Sequence, residues 1–266
     1  MFIEERHRHI LALIKEKGRV EVAELSKTFQ ISEDSARRDL RLMEEKGLVK
    51  RTYGGAILPS KVSEIASFQD REELNPKLKA DIAKMAASLV QDRDAILLDS
   101  SSTVNALVPW LTEVKGLTIV TNSIIIAHNV IQNLQDAKLF IIGGMIDYDR
   151  AGTAGIESLH MLQNIAVDKT FIGPCSISVE LDLWSTSFDE AELKRTMVKA
   201  AREVFILADS SKFGQRSLAK IGPLEKDHQC ITDQGIEKEI LLQLQERIND
   251  GLIIVPEGDN INGIRD

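Results

Sequence analysis

The chain is predicted to be α/β, an N-terminal winged helix-turn-helix domain joined to a C-terminal Rossmann-like parallel-sheet domain. Three observations carry that expectation. Residues 1–58 read as three short amphipathic helices and then a basic hairpin tipped by Gly54-Gly55. Residues 77–256 alternate short β-rich runs with segments long enough for a helix, the pattern of a parallel sheet covered on both faces. Residues 59–76, polar and mixed, read as a hinge with room for a short helix, and residues 257–266 as a tail.

The first helix is expected over 4–17, with Ile3, Ile10, Leu13 and Ile14 as one apolar stripe and Gly18 as its stop. A second helix at about 22–28 turns Val22, Leu25 and Phe29 inward, and Ile31 plugs the turn that follows. Ser32 is a natural N-cap for the third, where Ala36, Leu40 and Met43 recur at helical spacing until Gly47 ends it. The helix-turn-helix therefore lies at about 20–39, and the alternation after Leu48 suits a two-stranded wing. In the larger part, strands are expected at 95–98, 117–121, 139–142, 170–172, 204–208, 229–232 and 252–255. Helices are expected at 103–111, 124–134, 188–201 and 236–248.

At 266 residues, 43% hydrophobic and 28% charged, the chain has the composition of one or two globular domains. No apolar run approaches the ~20 residues that span a bilayer, and the N-terminus has no signal-peptide pattern. Cys175 and Cys230 sit on separate apolar segments and read as reduced core residues of a cytoplasmic protein. The five histidines lack metal-ligand spacing, so neither a metal nor a cofactor is expected. The net charge of -8 divides unevenly: residues 1–58 hold twelve Lys/Arg against ten Asp/Glu, and the rest 21 against 31. A head of +2 on a body of -10 fits contact with a polyanion confined to the head.

With Ala36, Leu40 and Met43 buried, Arg37, Arg38 and Arg41 must project elsewhere. A recognition helix enters the major groove by its N-terminal end, which places Asp34, Ser35, Arg37 and Arg38 against base edges or phosphates. Lys50, Arg51 and Tyr53, beside the Gly54 tip, would touch the backbone or the neighbouring minor groove. The expected partner is double-stranded operator DNA. An isolated arginine pair would read as a solvated face, but here helix spacing, capping serine, short turn and wing share one register. Asp39 reads as a structural partner for a neighbouring arginine. The strings Ile31-Ser-Glu-Asp-Ser-Ala-Arg-Arg-Asp-Leu, Leu42-Met-Glu-Glu-Lys-Gly-Leu-Val-Lys-Arg and Gly54-Gly-Ala resemble the N-terminal signature of DeoR-type bacterial transcriptional regulators. Ser35-Ala36 stand where that family has Thr-Ile.

In the body, Asp99-Ser-Ser-Ser-Thr103 follows a strand and opens a helix, where backbone N–H groups and the helix dipole favour an anion. Thr121-Asn-Ser123 repeats the arrangement, and Gly143-Gly144 closes the third strand. Each alone is a cap or turn; together they suggest one crevice at the carboxyl edge of the sheet. The resemblance extends here through Lys79-Ala-Asp-Ile-Ala, Leu98-Asp-Ser, Val120-Thr-Asn-Ser, Ile142-Gly-Gly, Asp168-Lys-Thr-Phe-Ile-Gly, Ala208-Asp-Ser-Ser-Lys-Phe-Gly and Ile231-Thr-Asp. It implies a sensor domain with a ribose-5-phosphate-isomerase-like fold that binds a phosphorylated sugar. By position, Ser100, Ser101, Ser102 and Thr103 would cradle the phosphate. Asp99, Thr121, Asn122, Gly143, Gly144 and Lys212 would line the sugar pocket, with Glu190 and Lys194 at its mouth.

Two further departures fall in the body. Ser101 stands where the family's loop has glycine, and Asp182-Leu-Trp184 replaces a Gly-Leu-Thr, placing an acid and an indole beside the pocket. The resemblance implies a repressor of carbohydrate utilisation released by its effector, with activation also open; a homo-oligomer, dimer or tetramer, is expected from the need to present paired heads to repeated half-sites. Two alternatives stay open. Glu190 and Lys194, with Asp209 and Lys212, could serve an isomerase, although a surface Glu–Lys pair is the commoner meaning of that spacing. An architectural DNA binder with an inert body would show no ligand response.

Overall fold

A computed structural model describes residues 3–45, 48–52, 54–57 and 66–256. The chain divides into two units, Met1–Lys61 and Val62–Asp266. In the first, α1 (Ile3–Lys17), β1 (Arg19–Glu21), α2 (Val22–Phe29), α3 (Glu33–Glu45), β2 (Lys50–Thr52) and β3 (Gly55–Ile57) follow in order. Gly18, at φ 78°, ends α1 and donates its N–H to Ile14 O at 2.8 Å. After α2 the chain turns through Gln30 at φ 52°, and the Ser26 hydroxyl donates to Ile31 O at 2.6 Å, so the turn is short and closed. Ser32 Oγ accepts from Ser35 N at 3.2 Å, capping α3. Ile10, Ile14, Leu25, Ala36, Leu40 and Met43 are wholly buried as one core. Ile3 is exposed and Leu13 only half-buried, so the apolar stripe of α1 is narrower than its sequence suggests.

The wing has three strands rather than two, in the order β1-β3-β2, with Val20 opposite Ala56 and Ala56 opposite Arg51. A three-residue strand between two helices shows no alternation, so β1 was invisible in the sequence. Gly55 is required by this third strand: a Cβ there would stand 1.9 Å from Val20 O. Gly47 and Tyr53 lie outside the described residues.

The second unit begins with α4 (Phe68–Glu73) and α5 (Pro76–Ala87), then β4 (Ala95–Leu98), α6 (Ser102–Asn105), β5 (Thr118–Thr121), α7 (Ile124–Asn133) and β6 (Lys138–Ile141). A hairpin of β7 (Met145–Asp147) and β8 (Gly152–Ala154) leads to α8 (Ile156–Leu162) and β9 (Val167–Ile172). Next come β10 (Ser176–Ile177), β11 (Asp182–Ser185), α9 (Phe188–Ala200), β12 (Ala201–Leu207), β13 (Ala219–Pro223), β14 (Gln229–Asp233), α10 (Lys238–Ile248) and β15 (Leu252–Val255). The seven strands expected from the sequence form one parallel sheet in the order β15-β14-β12-β9-β4-β5-β6. Residues alternate between its faces. Leu97, Val120, Ile172 and Ile206 pack with Leu193, Met197 and Leu244 on one side. Ile96, Leu98, Phe171 and Phe205 pack with Ile82, Ala86 and Ile126 on the other, the two phenylalanine rings stacked at 4.9 Å.

Three details differ from expectation. The helix read at 103–111 is a four-residue α6 and a separate 3-10 turn at Val108–Leu111, because Pro109 removes a backbone donor in the middle. The hairpin β7–β8 and the small sheet β10-β11-β13 are additional. Residues 66–76, read as part of a hinge, are built into the body: Ser67 caps α4, Phe68 is buried, and Glu72 Oε1 accepts from Asn105 Nδ2 at 3.0 Å. Of the 59–76 hinge, residues 59–65 lie outside the described residues, as does the tail 257–266.

Gly55→Ala should destabilise the first unit by more than about 2 kcal/mol, since neither β1 nor β3 can yield without losing its partner. Urea denaturation followed by circular dichroism would show an earlier head transition with the body transition unmoved.

Candidate functional site

The first unit exposes one charged helix face. Arg37, Arg38 and Arg41 all project from α3 away from the core, as do Asp34 and the capping Ser32, with Ser35 half-buried beside its hydroxyl partner. Arg37 is paired within the helix, to Glu33 at 2.9 Å and Asp34 at 3.7 Å, whereas Arg38 and Arg41 form no ion pair among the described residues. Exposed pairs of this kind are worth well under ~1 kcal/mol, so a phosphate can displace the carboxylates from Arg37. Asp39 is buried. Its carboxylate accepts from Arg6 at 2.6 and 3.1 Å, and His7 Nε2 lies 3.2 Å away. It is a structural partner of an arginine, although that arginine comes from α1 rather than α3. On the wing, Arg51 and Gly54 are exposed and Lys50 half-buried.

In the second unit the strand order fixes where a ligand can enter. The order in which strands are added reverses between β4 and β9: β5 and β6 lie on one side of β4, while β12, β14 and β15 lie beyond β9. At such a switch point, the loops leaving the carboxyl ends of two adjacent strands separate and open a crevice. Those loops are Asp99–Thr103 after β4 and Gly173 after β9. Two surface hollows of about 270 and 490 Å³ lie elsewhere, against Leu117 and Ala137 and against His228 and Gly251. Both sit at the amino ends of strands, where no helix N-terminus or strand-end loop converges, and the switch point is the better candidate.

A buried charged network fills the floor of that crevice. Lys194 Nζ lies 2.9 Å from Asp99 Oδ2 and 3.1 Å from Glu190 Oε1, and donates to Gly173 O at 2.5 Å. Asp99 in turn accepts from Gly173 N at 2.8 Å and Ser101 N at 2.9 Å. Arg150 Nε stands 2.8 Å from Glu190 Oε2, and the same guanidinium reaches Asp147 at 2.5 Å and the Thr186 hydroxyl. The Ser185 hydroxyl also donates to Glu190. Burial opposes ionisation of Glu190, but Lys194 and Arg150 outweigh it and hold the carboxyl far below its usual range. For Lys194, burial likewise opposes the charge, and Asp99 and Glu190 overcome it and raise the ammonium above its usual range. With Asp99, Lys194 and Glu190 exposed by only 1, 2 and 5%, Glu190 and Lys194 form the floor. They were expected at the mouth. The surface-pair meaning of their spacing is excluded with it.

Above the floor, Ser100, Ser101, Ser102 and Thr103 are all buried. Ser101 adopts φ −87°, ψ 150° and caps α6 by accepting from Val104 N at 3.2 Å, so its position needs no glycine. Helix α4 closes the loop: Arg71 O accepts from the Lys79 ammonium and, at 3.4 Å, from Ser102 Oγ. Burial lowers the Lys79 pKa to about 8, against Asp209, which supports the charge, and with Lys212 and Arg71, which repel it. Arg71 is itself lowered by burial while the Glu190 charge works the other way. Asn75 Nδ2 donates to Asp209 Oδ1 at 3.2 Å, completing this rim. Arg71, Lys79 and Lys212 share this rim with Asp209 and Glu72.

The remaining expected residues divide. Thr121 Oγ1 donates to Leu98 O at 2.8 Å and accepts from Ser123 N, which ties β5 to β4. Asn122 Nδ2 donates to Thr153 O at 2.8 Å and leaves Oδ1 buried without a partner, an open acceptor for a hydroxyl. Gly143 and Gly144 turn toward α8 instead of the Asp99 loop: Ser158 Oγ donates to Gly143 O at 2.7 Å, and Gly144, at φ 140°, has no room for a Cβ beside Ser158. Asp182 is held by Lys220 at 2.7 Å, and Trp184 lies beneath Arg216 with its buried indole N–H unpaired. Cys230 is buried and its thiol raised to about 12 by burial alone. Cys175, by contrast, is half-buried at 3.9 Å from Glu190 Oε2, a part of the network and not of the core. Arg71, Lys79, Arg150 and Ser185 were not singled out in the sequence. Lys79 had only its place in a familiar string as a signal, and the other three had none.

A helix-turn-helix with its arginines outward, followed by a doubly wound sheet with a charged switch point, defines a two-domain DNA-binding regulator. Residues 6–62 match the family model of the DeoR-like helix-turn-helix domain and residues 74–234 that of the DeoR C terminal sensor domain, and the chain belongs to the DeoR family. It is 34% identical to the HTH-type transcriptional repressor GlcR of Bacillus subtilis, over 88% of this chain and 90% of that one. It is 32% identical to the HTH-type transcriptional regulator GolR of Listeria innocua, over 92% and 96%. Among solved structures, ribose 5-phosphate isomerase A of Methanocaldococcus jannaschii is similar over 52% of this chain and 55% of that one, at 21% identity and a TM-score of 0.39. The protein is a transcriptional regulator and not an enzyme.

Lys194→Met should cost about 3 kcal/mol or more, because it leaves the buried Asp99 carboxylate without its cation. The folded-state pKa of Glu190 is depressed, so its contribution is present above the unfolded value near 4.5 and is lost as pH falls below it. Chemical denaturation at pH 7 and pH 4 would show a smaller difference between variant and wild type at the lower pH.

Proposed function

We propose that this regulator represses a carbohydrate-utilisation operon and leaves its operator when a phosphorylated sugar, or a derivative of one, enters the switch-point crevice. The observation that carries the reading is the contact of Arg71 O with Lys79 and Ser102. Two donors suited to a phosphate are occupied by a backbone carbonyl of α4, the first described helix after the head. The name of GlcR as a repressor points the same way.

In this mechanism the phosphate competes with Arg71 O for the Lys79 ammonium and the Ser102 hydroxyl, with the hydroxyls of Ser100 and Thr103, the Ser101 end of the loop and Lys212 completing the cradle. Asn122 Oδ1 and Asp99 take the sugar hydroxyls. The floor of Lys194, Glu190 and Arg150 does not move. It gives the loops a rigid base, so that entry of the anion is expressed as displacement of α4. In this reading the liganded body favours a different presentation of paired heads to half-sites spaced by about one helical turn. A ligand shifts that equilibrium only by binding the two arrangements unequally, and competition with Arg71 O supplies the inequality. The regulator acts as a homo-oligomer on double-stranded operator DNA.

Two measurements test this. Arg38→Ala should weaken operator binding at least tenfold in gel shifts and reduce the salt slope by about one if the contact is to phosphate; unchanged affinity would remove α3 from the groove. Lys79 carries its proton below about 8, whereas a sugar phosphate stays dianionic above its second pKa of ~6. Effector affinity, screened by thermal shift against a sugar-phosphate panel, should therefore fall as pH rises from 7 to 9. In Lys79→Gln it should be weak and flat. A wild-type affinity that holds constant across that range would exclude Lys79 as a ligand.

A further inference from the structure

The edge of the large sheet is apolar where an edge is usually blunted. Strand β6 is the last strand, hydrogen-bonded to β5 on one side only. Phe140 and Ile141 on it are exposed, and the β7–β8 hairpin next in sequence exposes Met145, Ile146 and Tyr148, with Phe140, Met145 and Tyr148 at 57, 65 and 89%. Met161 of α8, also exposed, carries the surface on: its sulfur accepts from Gly143 N at 3.3 Å, between β6 and β7. At roughly 200 Å² for a large apolar residue, these six side chains present on the order of 700 Å². Summed over both faces of the edge, that approaches the ~800 Å² each partner contributes to a standard interface.

We infer that a second copy of this chain covers this surface, β6 pairing antiparallel with its own counterpart across a twofold axis. Three features select a second copy over an unrelated partner. An edge strand about a twofold is self-complementary, since each free N–H meets a free C=O of the other copy and the reverse. The body is strongly acidic and would repel itself, but residues 138–161 hold two basic against three acidic residues, so this face is nearly neutral. A helix-turn-helix that reads paired half-sites needs a twofold partner. The inference rests on the homo-oligomeric reading above and adds the surface. The same hairpin carries Arg150 into the floor of the crevice, so the assembled face and the effector site share one element.

Sedimentation velocity on the full chain, with Phe140→Asp and Met145→Asp as variants and Val179→Asp as an exposed apolar control, tests it. Thermal melts monitor folding throughout. Wild type and control should sediment as the oligomer, while each patch variant dissociates at least tenfold more readily with its melting temperature held. Retention of the full oligomer in both patch variants would overturn this surface and leave the oligomeric reading standing. A monomeric wild type at micromolar concentration would overturn both. Protection of the 138–148 amides from exchange in such a monomer would assign the cover to another part of the chain.

Discussion

The end of β4, the end of β9 and the middle of α9 are far apart in sequence, and the Lys194 ammonium holds them at one point. Taking an ammonium and two carboxylates out of water costs several kcal/mol per ion, and mutual attraction offsets this only where geometry is good and the remaining hydrogen bonds are made. Here they are: Asp99 takes two backbone N–H groups, Gly173 O takes a proton of Lys194, and Glu190 is shared with Arg150 and Ser185. The arrangement fixes the spacing of the two loops that part at the switch point. Every other feature of the crevice is positioned against that fixed pair.

A rigid floor changes what the rim can do. Ser100–Thr103 cannot retreat, because Asp99 anchors the loop below and Ser101 is packed against Gly173, where a Cβ would meet its hydroxyl at 2.2 Å. Above the floor lies α4, a six-residue helix held by its buried Phe68 and by hydrogen bonds with Lys79, Ser102 and Asn105.

Much of this was legible in the sequence. All seven strands of the large sheet follow from short apolar runs, since a strand buried on both faces needs no alternation. The errors have local causes. β9 and β12 begin three residues before their apolar runs, because Val167-Asp-Lys and Ala201-Arg-Glu look solvated; Lys169 is in fact buried and paired to Asp94 at 2.6 Å. β1 and the β7–β8 hairpin are three residues long, too short to show a period. At the site, the serine loop and Asn122 could be read from their place after strands. Glu190 and Lys194 were visible, but i,i+4 spacing says nothing about depth, and their burial depends on Arg150, whose turn has no pattern at all. Arg71 was hidden because its segment has the composition of a linker.

Arg150 leaves one further mark. It stands in the turn of the β7–β8 hairpin, its guanidinium spanning Asp147 of that hairpin, Thr186 and Glu190. Hydrogen bonds of Thr153 with Asn122 and of Ala151 with Ile124 dock the β8 side of the hairpin, and this guanidinium ties its turn to α9. A substitution at position 150 would therefore loosen the wall behind the serine loop without altering any group of the loop itself.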